Sequence, residues 1–265
     1  MPPRVLITRP APEAQRWAQA LARQGLAAQA LPLIDIAPEP LAGALAQARA
    51  QLGQYHAAMF VSGNAVRAFL QPDTAFALDQ SALAAIETRA WSPGPGTTAA
   101  LQAAHWPAAR IDAPAPDAPQ FDSEALWAQV QAQARPGRRV LLVRGGNAAG
   151  QPAGRDWLAE RLRQAGVALD QVMAYRRLPP HWGPTQAALA EQAAADGSVW
   201  LLSSAEAVAN LRHALPGLDL SRARALATHP RIAQAAHAAG FGHVGQTQPS
   251  LADVVQALAS IESAP

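Results

Sequence analysis

Short runs of consecutive apolar residues recur along the chain. Each is followed by an alanine- and leucine-rich stretch with helical spacing. Val5-Leu6-Ile7 reads as a buried strand and residues 13–24 as the helix after it, with Trp17, Ala20 and Leu21 on one face and Gly25 as the stop. The same alternation predicts a strand at 57–61 and a helix at 64–70, then 89–91 with 97–104 and 140–143 with 155–165. It continues with 199–202 and 205–214, 223–227 and 231–239, and 243–244 and 251–260. Strands apolar on both faces belong in parallel sheets covered by helices on both sides, so the pattern predicts an α/β fold.

The pattern also repeats. Val5-Leu6-Ile7-Thr8-Arg9, followed by Trp17, Leu21 and Gly25, resembles Val140-Leu141-Leu142-Val143-Arg144, followed by Trp157, Leu162 and Gly166. Phe60-Val61-Ser62 resembles Leu202-Ser203-Ser204, and Gly94-Pro95-Gly96-Thr97 resembles His229-Pro230-Arg231-Ile232. Two similar α/β units fit this order if the opening strand joins the C-terminal third. The first domain is then discontinuous, residues 1–35 and 177–265, and the second spans 38–172. The crossings at 31–38 and 172–178 are extended and end in proline, which predicts a two-stranded linker, a hinge and a cleft.

A length of 265 residues suits two domains of about 150 each. Half of the residues are hydrophobic and 15% are charged, enough for sizeable cores and unlike a disordered chain. Net charge is only +2, and every formal cation is an arginine, so binding nucleic acid by bulk charge is not expected. The absence of cysteine removes disulfides, thiolate metal sites and a thiol nucleophile. No apolar run approaches the ~18 residues of a membrane helix or the ~7 of a secretory signal core, so a cytoplasmic protein is expected.

Candidate chemistry sits at the strand ends, where parallel α/β sheets bind ligands. These ends are Thr8-Arg9, Ser62-Gly63-Asn64, Gly94 to Thr98, Arg144-Gly145-Gly146, Ser203-Ser204 and Thr228-His229. Most open a helix, whose free N–H groups suit carboxylate or phosphate. Ser62, Thr97 and Ser204 read equally as plain N-caps, and the glycines as turn residues. Tyr175, beside Arg176 and Arg177 in the return crossing, is either a hydrogen-bond donor and weak acid facing the cleft or a β-favouring aromatic. Residues 112–120 read as a proline-rich loop, followed by a helix capped by Asp122 or Ser123. The seven histidines show no ligand spacing, and neither a G-x-S-x-G elbow nor a dinucleotide or P-loop fingerprint is present.

Taken in order, these pieces resemble the uroporphyrinogen-III synthase family over nearly the whole chain. The resemblance rests on Leu6-Ile7-Thr8-Arg9-Pro10, Leu31-Pro32-Leu33-Ile34, Phe60 to Val66, Gly94 to Thr97 and Phe121-Asp122-Ser123-Glu124. Leu141 to Gly145, Ala174-Tyr175-Arg176, Leu202-Ser203-Ser204 and Ala207-Val208 complete it. It implies two flavodoxin-like domains joined by a two-stranded linker, no cofactor and no metal. The implied reaction closes the linear tetrapyrrole hydroxymethylbilane to uroporphyrinogen III, with inversion of ring D and loss of water. The implied partners are that substrate, handed over by hydroxymethylbilane synthase, with neither nucleic acid nor membrane, and the chain a monomer.

By resemblance Tyr175 matches a tyrosine that assists hydroxyl loss. Ser62, Thr97 and Ser203 or Ser204 match cleft-lining positions of the family, and Asn64, Gly145 and Thr228 at the strand ends are further candidate substrate-binding residues, as are both Ser203 and Ser204. Arg9 and Arg144 are candidate carboxylate partners or structural residues. Ile232 stands where the family often has threonine, which leaves backbone N–H groups, Thr228 or His229 as donors there. The residues alone also admit a non-catalytic hinged binder of a polycarboxylate or phosphate, and a nucleotide-dependent transferase, against which the missing glycine fingerprint counts.

Overall fold

The apolar runs become the inner strands of two sheets. In a computed structural model that describes residues 3–70, 85–152 and 156–262, β1 (Val5–Ile7), β4 (Ala57–Phe60) and β9 (Val199–Leu202) are buried at every position. Such strands have helices over both faces. The chain divides into two units, one of residues up to Asp35 together with those from Leu178 onward, the other spanning Ile36–Arg177.

The first unit holds a five-stranded sheet in the order β11-β10-β9-β1-β2, parallel throughout, with β2 at Ala28–Ala30, β10 at Arg224–Ala227 and β11 at His243–Gln246. The opening strand thus lies between β2 and the C-terminal strands, and the unit is discontinuous. Its helices are α1 (Ala11–Ala22), α7 (Pro184–Ala195), α8 (Ala205–Ala214), α9 (Pro230–Ala238) and α10 (Leu251–Glu262). One face of the sheet packs Val5, Ile7, Val199, Leu201 and Leu226 with Leu21, Val254 and Leu258.

The second unit holds a six-stranded sheet in the order β3-β8-β7-β4-β5-β6. Here β3 is Asp35–Pro38, β5 Arg89–Trp91, β6 Ile111–Asp112, β7 Arg139–Gly146 and β8 Ala168–Leu178. From β8 to β6 every neighbouring pair is parallel. The helices are α2 (Gly43–Ala50), α3 (Gly63–Phe69), α4 (Pro95–Ala103), α5 (Ser123–Val130) and α6 (Trp157–Gln164). Alternation along the strands fills two cores. Phe60, Ala90, Leu141 and Val143 face one, and Met59, Trp91, Val140 and Leu142 face the other.

The second crossing is strand throughout and the first over residues 35–38, and the structure gives both a place in the second sheet. β8 pairs with β7 from Ala168 to Arg176, and β3 lies along its other side. Several elements lie outside the apolar pattern. β2 and β6 are short edge strands without a fully buried residue, and α7 is so rich in alanine that no stripe stands out, although Ala190, Ala193 and Ala194 are buried. Helix α1 starts at Ala11, two residues before the expected start, because Pro12 in its first turn needs no N–H partner. The expected helix start at Arg155 falls outside the described residues. No helix among the described residues is long and apolar enough to cross a membrane.

Candidate functional site

In an open α/β sheet the crevice for a ligand forms where strand order reverses. In the second sheet this point lies between β4 and β7, since β5 and β6 extend to one side and β8 to the other. β4 runs through Val61 into Ser62, the N-cap of α3, whose Oγ accepts from the Ala65 N–H at 3.2 Å. Tyr175 stands on β8, one strand beyond β7, and its phenol oxygen lies 3.0 Å from Ser62 Oγ. Two chemistry-bearing residues 113 positions apart therefore meet at the switch point.

Two features of β7 and β8 allow the meeting. Arg144 pairs with Met173, but Gly145 pairs with Tyr175, so Ala174 is an extra residue and β8 bulges. A regular strand would send Ala174 and Tyr175 to opposite faces; here both join the core that holds Phe60 and Val143. The ring then crosses β7 at Gly145. A Cβ there would lie 2.5 Å from Tyr175 Cζ and 2.8 Å from its oxygen. Tyr175 is 2% exposed, whereas Ser62 is half-buried.

The hydrogen bonds of this pair can be counted. Ser62 Oγ already accepts from Ala65, and one of the two hydroxyl protons serves the bond between the side chains. Whichever oxygen donates, one hydroxyl proton is left over to offer to a ligand oxygen.

The neighbouring turn is held firmly. The Gly94 carbonyl accepts from the N–H groups of Thr97 at 3.0 Å and Thr98 at 3.1 Å, and from the buried Ser92 hydroxyl at 3.0 Å. Ser92 Oγ also lies 2.9 Å from Thr98 Oγ1. Thr97 is buried in the first turn of α4. Helices α3 and α4 start side by side, since a Cβ on Gly63 would come within 3.1 Å of the Gly96 carbonyl. Asn64 Oδ1 accepts from Arg67 at 2.6 Å. Sequence reasoning missed Ser92; the signal available was a serine two residues before Gly-Pro-Gly, the usual place for a side chain that closes a turn.

In the first unit the switch point lies between β1 and β9. The buried Thr8 hydroxyl bridges it, donating to the Leu201 carbonyl at 2.7 Å. Ser204 caps α8 by accepting from Ala207, and Ser203 beside it is half-buried. The Thr228 N–H donates to the Leu202 carbonyl at 3.0 Å. His229 caps α9, its Nδ1 accepting from the Arg231 N–H at 3.1 Å, and Ile232 is buried in the core.

Both candidate arginines are engaged inside their own unit. Arg9 holds Glu13 at 2.6 Å and stacks on Trp17, 4.4 Å from the ring centre. Arg144 is 3% exposed and bonds Asp156 and Gln171. Gly145 lies under the Tyr175 ring. Two perturbed groups sit at the opposite, amino edge of the second sheet. There Tyr55 donates to Asp170 at 2.8 Å, and burial with that carboxylate pushes its phenol up to about 12. Burial, then the Arg138 charge, pushes the His56 imidazole below its ordinary value.

The family model described as uroporphyrinogen-III synthase HemD matches residues 15–256. The fold resembles the uroporphyrinogen-III synthetase of Helicobacter pylori, at 16% identity and a TM-score of 0.64, covering 98% of this chain and 99% of that one. It also resembles a mutant uroporphyrinogen III synthase of Thermus thermophilus, at 20% identity and a TM-score of 0.54, covering 98% of each chain.

Proposed function

Because the chain belongs to the uroporphyrinogen-III synthase family, we propose that the Ser62–Tyr175 pair is the acid that starts its ring closure. The family's enzymes are hydro-lyases that convert hydroxymethylbilane to uroporphyrinogen III. The observation that carries the assignment is the hydroxyl pair at the β4/β7 switch point, with one proton left to give.

The chemistry follows from that proton. The hydroxyl on ring A of the bilane is a poor leaving group until it accepts a proton. Given one by the pair, its C–O bond breaks, water departs, and an azafulvene cation remains. Ring D attacks this cation through its substituted carbon and forms a spiro intermediate, which fragments and recloses with ring D inverted. The proton lost in the final rearomatisation returns to the pair, so the balance is bilane to product plus water. Because Ser62 is half-buried and Tyr175 is not exposed, Ser62 Oγ is the atom that meets the leaving oxygen, and the phenol acts behind it.

The substrate carries eight carboxylates, and the donors that suit them are N–H groups at helix starts and hydroxyls. Asn64, Thr97, Ser203, Ser204 and Thr228 are the side chains we assign to this task. The free bilane also closes unaided, without inversion, so holding one folded geometry is the larger part of the work. The same instability favours direct handover of the bilane from hydroxymethylbilane synthase to this chain.

The test is to couple the purified protein to bilane generation and separate the products by chromatography. Uroporphyrinogen III is the expected isomer. Only the type I isomer, with substrate supply verified, overturns the assignment.

A further inference from the structure

We propose that Gly145 is a positioning residue for the reaction: it leaves open the path by which the Tyr175 phenol crosses β7 to Ser62. The inference rests on the role given to Tyr175 above. Three atoms at the hydroxyl end of the ring, Cζ, Cε2 and the oxygen, lie 2.5, 2.7 and 2.8 Å from where a Cβ on Gly145 would stand. Real Cβ atoms do not approach other heavy atoms so closely. The collision falls on the reacting end of the side chain and not on its stem.

The backbone gives no other reason for glycine at this position. Gly145 does not have a positive φ, so alanine fits its conformation. The ring has little room to yield, because Tyr175 is 2% exposed and packs in the core with Phe60, Val143 and Ala174. A methyl group at 145 must therefore swing the phenol away from Ser62. The bulge at Ala174 works with the glycine: the first turns the ring to this face, and the second lets it pass. The neighbouring Gly146 has a different task. Its Cβ would meet the Met173 sulfur and the Gln151 carbonyl, not the phenol.

Gly145→Ala tests this in wild-type and Tyr175→Phe backgrounds. In the wild-type background kcat falls at least about 10-fold with KM little changed. In the Tyr175→Phe background the same substitution adds less than about twofold, since no phenol is left to misplace. Equal losses in both backgrounds, or an unchanged kcat in Gly145→Ala while Tyr175→Phe alone is slowed, overturn the proposal.

A second readout separates this proposal from the role of Tyr175. The chain has two tyrosines, so 13Cζ-tyrosine labelling gives two resonances, and Tyr175→Phe assigns them. Gly145→Ala must move the Tyr175 resonance and leave that of Tyr55 in place; an unmoved Tyr175 resonance overturns the proposal whatever the kinetics. A moved resonance with full activity in both Gly145→Ala and Tyr175→Phe shows that the role of Tyr175 is what failed. If Gly145→Ala does not fold, Gly145→Ala/Tyr175→Leu must, because leucine lacks all three colliding atoms; failure of that double variant also overturns the proposal.

Discussion

Arg9 and Arg144 occupy the same place in the two sheets. Val5 pairs with Val199 and Val140 pairs with Ala57, and each arginine follows its strand's paired valine by four residues. Each guanidinium is held by an acid on the next helical segment, Glu13 in α1 and Asp156 at the start of α6. The repeat seen in the sequence thus extends to an ion pair that ties each central strand to its helix. It also means that both arginines have carboxylate partners before any substrate arrives.

These pairs should be structural in unequal degree. Arg9→Ala removes a partly exposed i,i+4 pair and a stacking contact, worth about 1 kcal/mol together. Arg144→Ala removes a buried guanidinium bonded to Asp156 and Gln171, and should cost at least about 2 kcal/mol. Urea unfolding measures both. KM should stay within about twofold in each; a large rise in KM with unchanged stability would return that arginine to the binding surface.

Tyr175→Phe should slow turnover at least about 10-fold, because it leaves Ser62 without its partner hydroxyl. The cost in stability should be about 1 kcal/mol, since the ring and its packing remain. The coupled isomer assay reads the first and thermal unfolding the second. An unchanged kcat removes the phenol from the acid's role.

Ser62 and Ser204 are matched N-caps, accepting from Ala65 and Ala207. Replacing either with alanine should cost about 1 kcal/mol of stability. Of the two, Ser62 shares a hydrogen bond with a second hydroxyl, so Ser62→Ala should also lower kcat at least about 10-fold. Ser204→Ala should act on KM and leave kcat in place. Equal falls in kcat would contradict the division of roles.

His56 gives the second unit a pH dependence. Its folded value lies below 6.5, chiefly through burial and then the Arg138 charge, with Arg89 adding to the lowering and Gln133 and Asp112 opposing it. Unfolding therefore takes up a proton. Stability is full above 6.5 and is lost as pH falls through the depressed folded value. Urea midpoints measured from about pH 7.5 to 5 should decline in the wild type and decline less in His56→Gln. Parallel curves would show that other groups carry the dependence.

Much of the candidate site was legible as a set of positions. Ser62, Asn64, Thr97, Ser203, Ser204 and Thr228 follow strand ends, and the structure puts each at the carboxyl edge of its sheet. Local sequence did not reveal their present duties. Asn64 already accepts from Arg67, and His229 from Arg231, through contacts set by helix geometry. Gly145 read as a turn glycine and lies instead inside a strand, under a ring. Ser92 was overlooked because a buried serine in an apolar strand end carries no periodic signal.

The sequence by itself determined the apolar strands and the helices that follow them, the doubled architecture and the return of the C-terminal third to the opening strand. Those follow from periodicity and from a repeat, which are properties of neighbours along the chain. Tertiary structure alone decided that Tyr175 meets Ser62. That meeting needs β7 between their two strands, one extra residue in β8 to turn the ring, and a missing side chain at Gly145 to let it through. None of the three is visible in a local pattern, because each depends on which strand becomes whose neighbour.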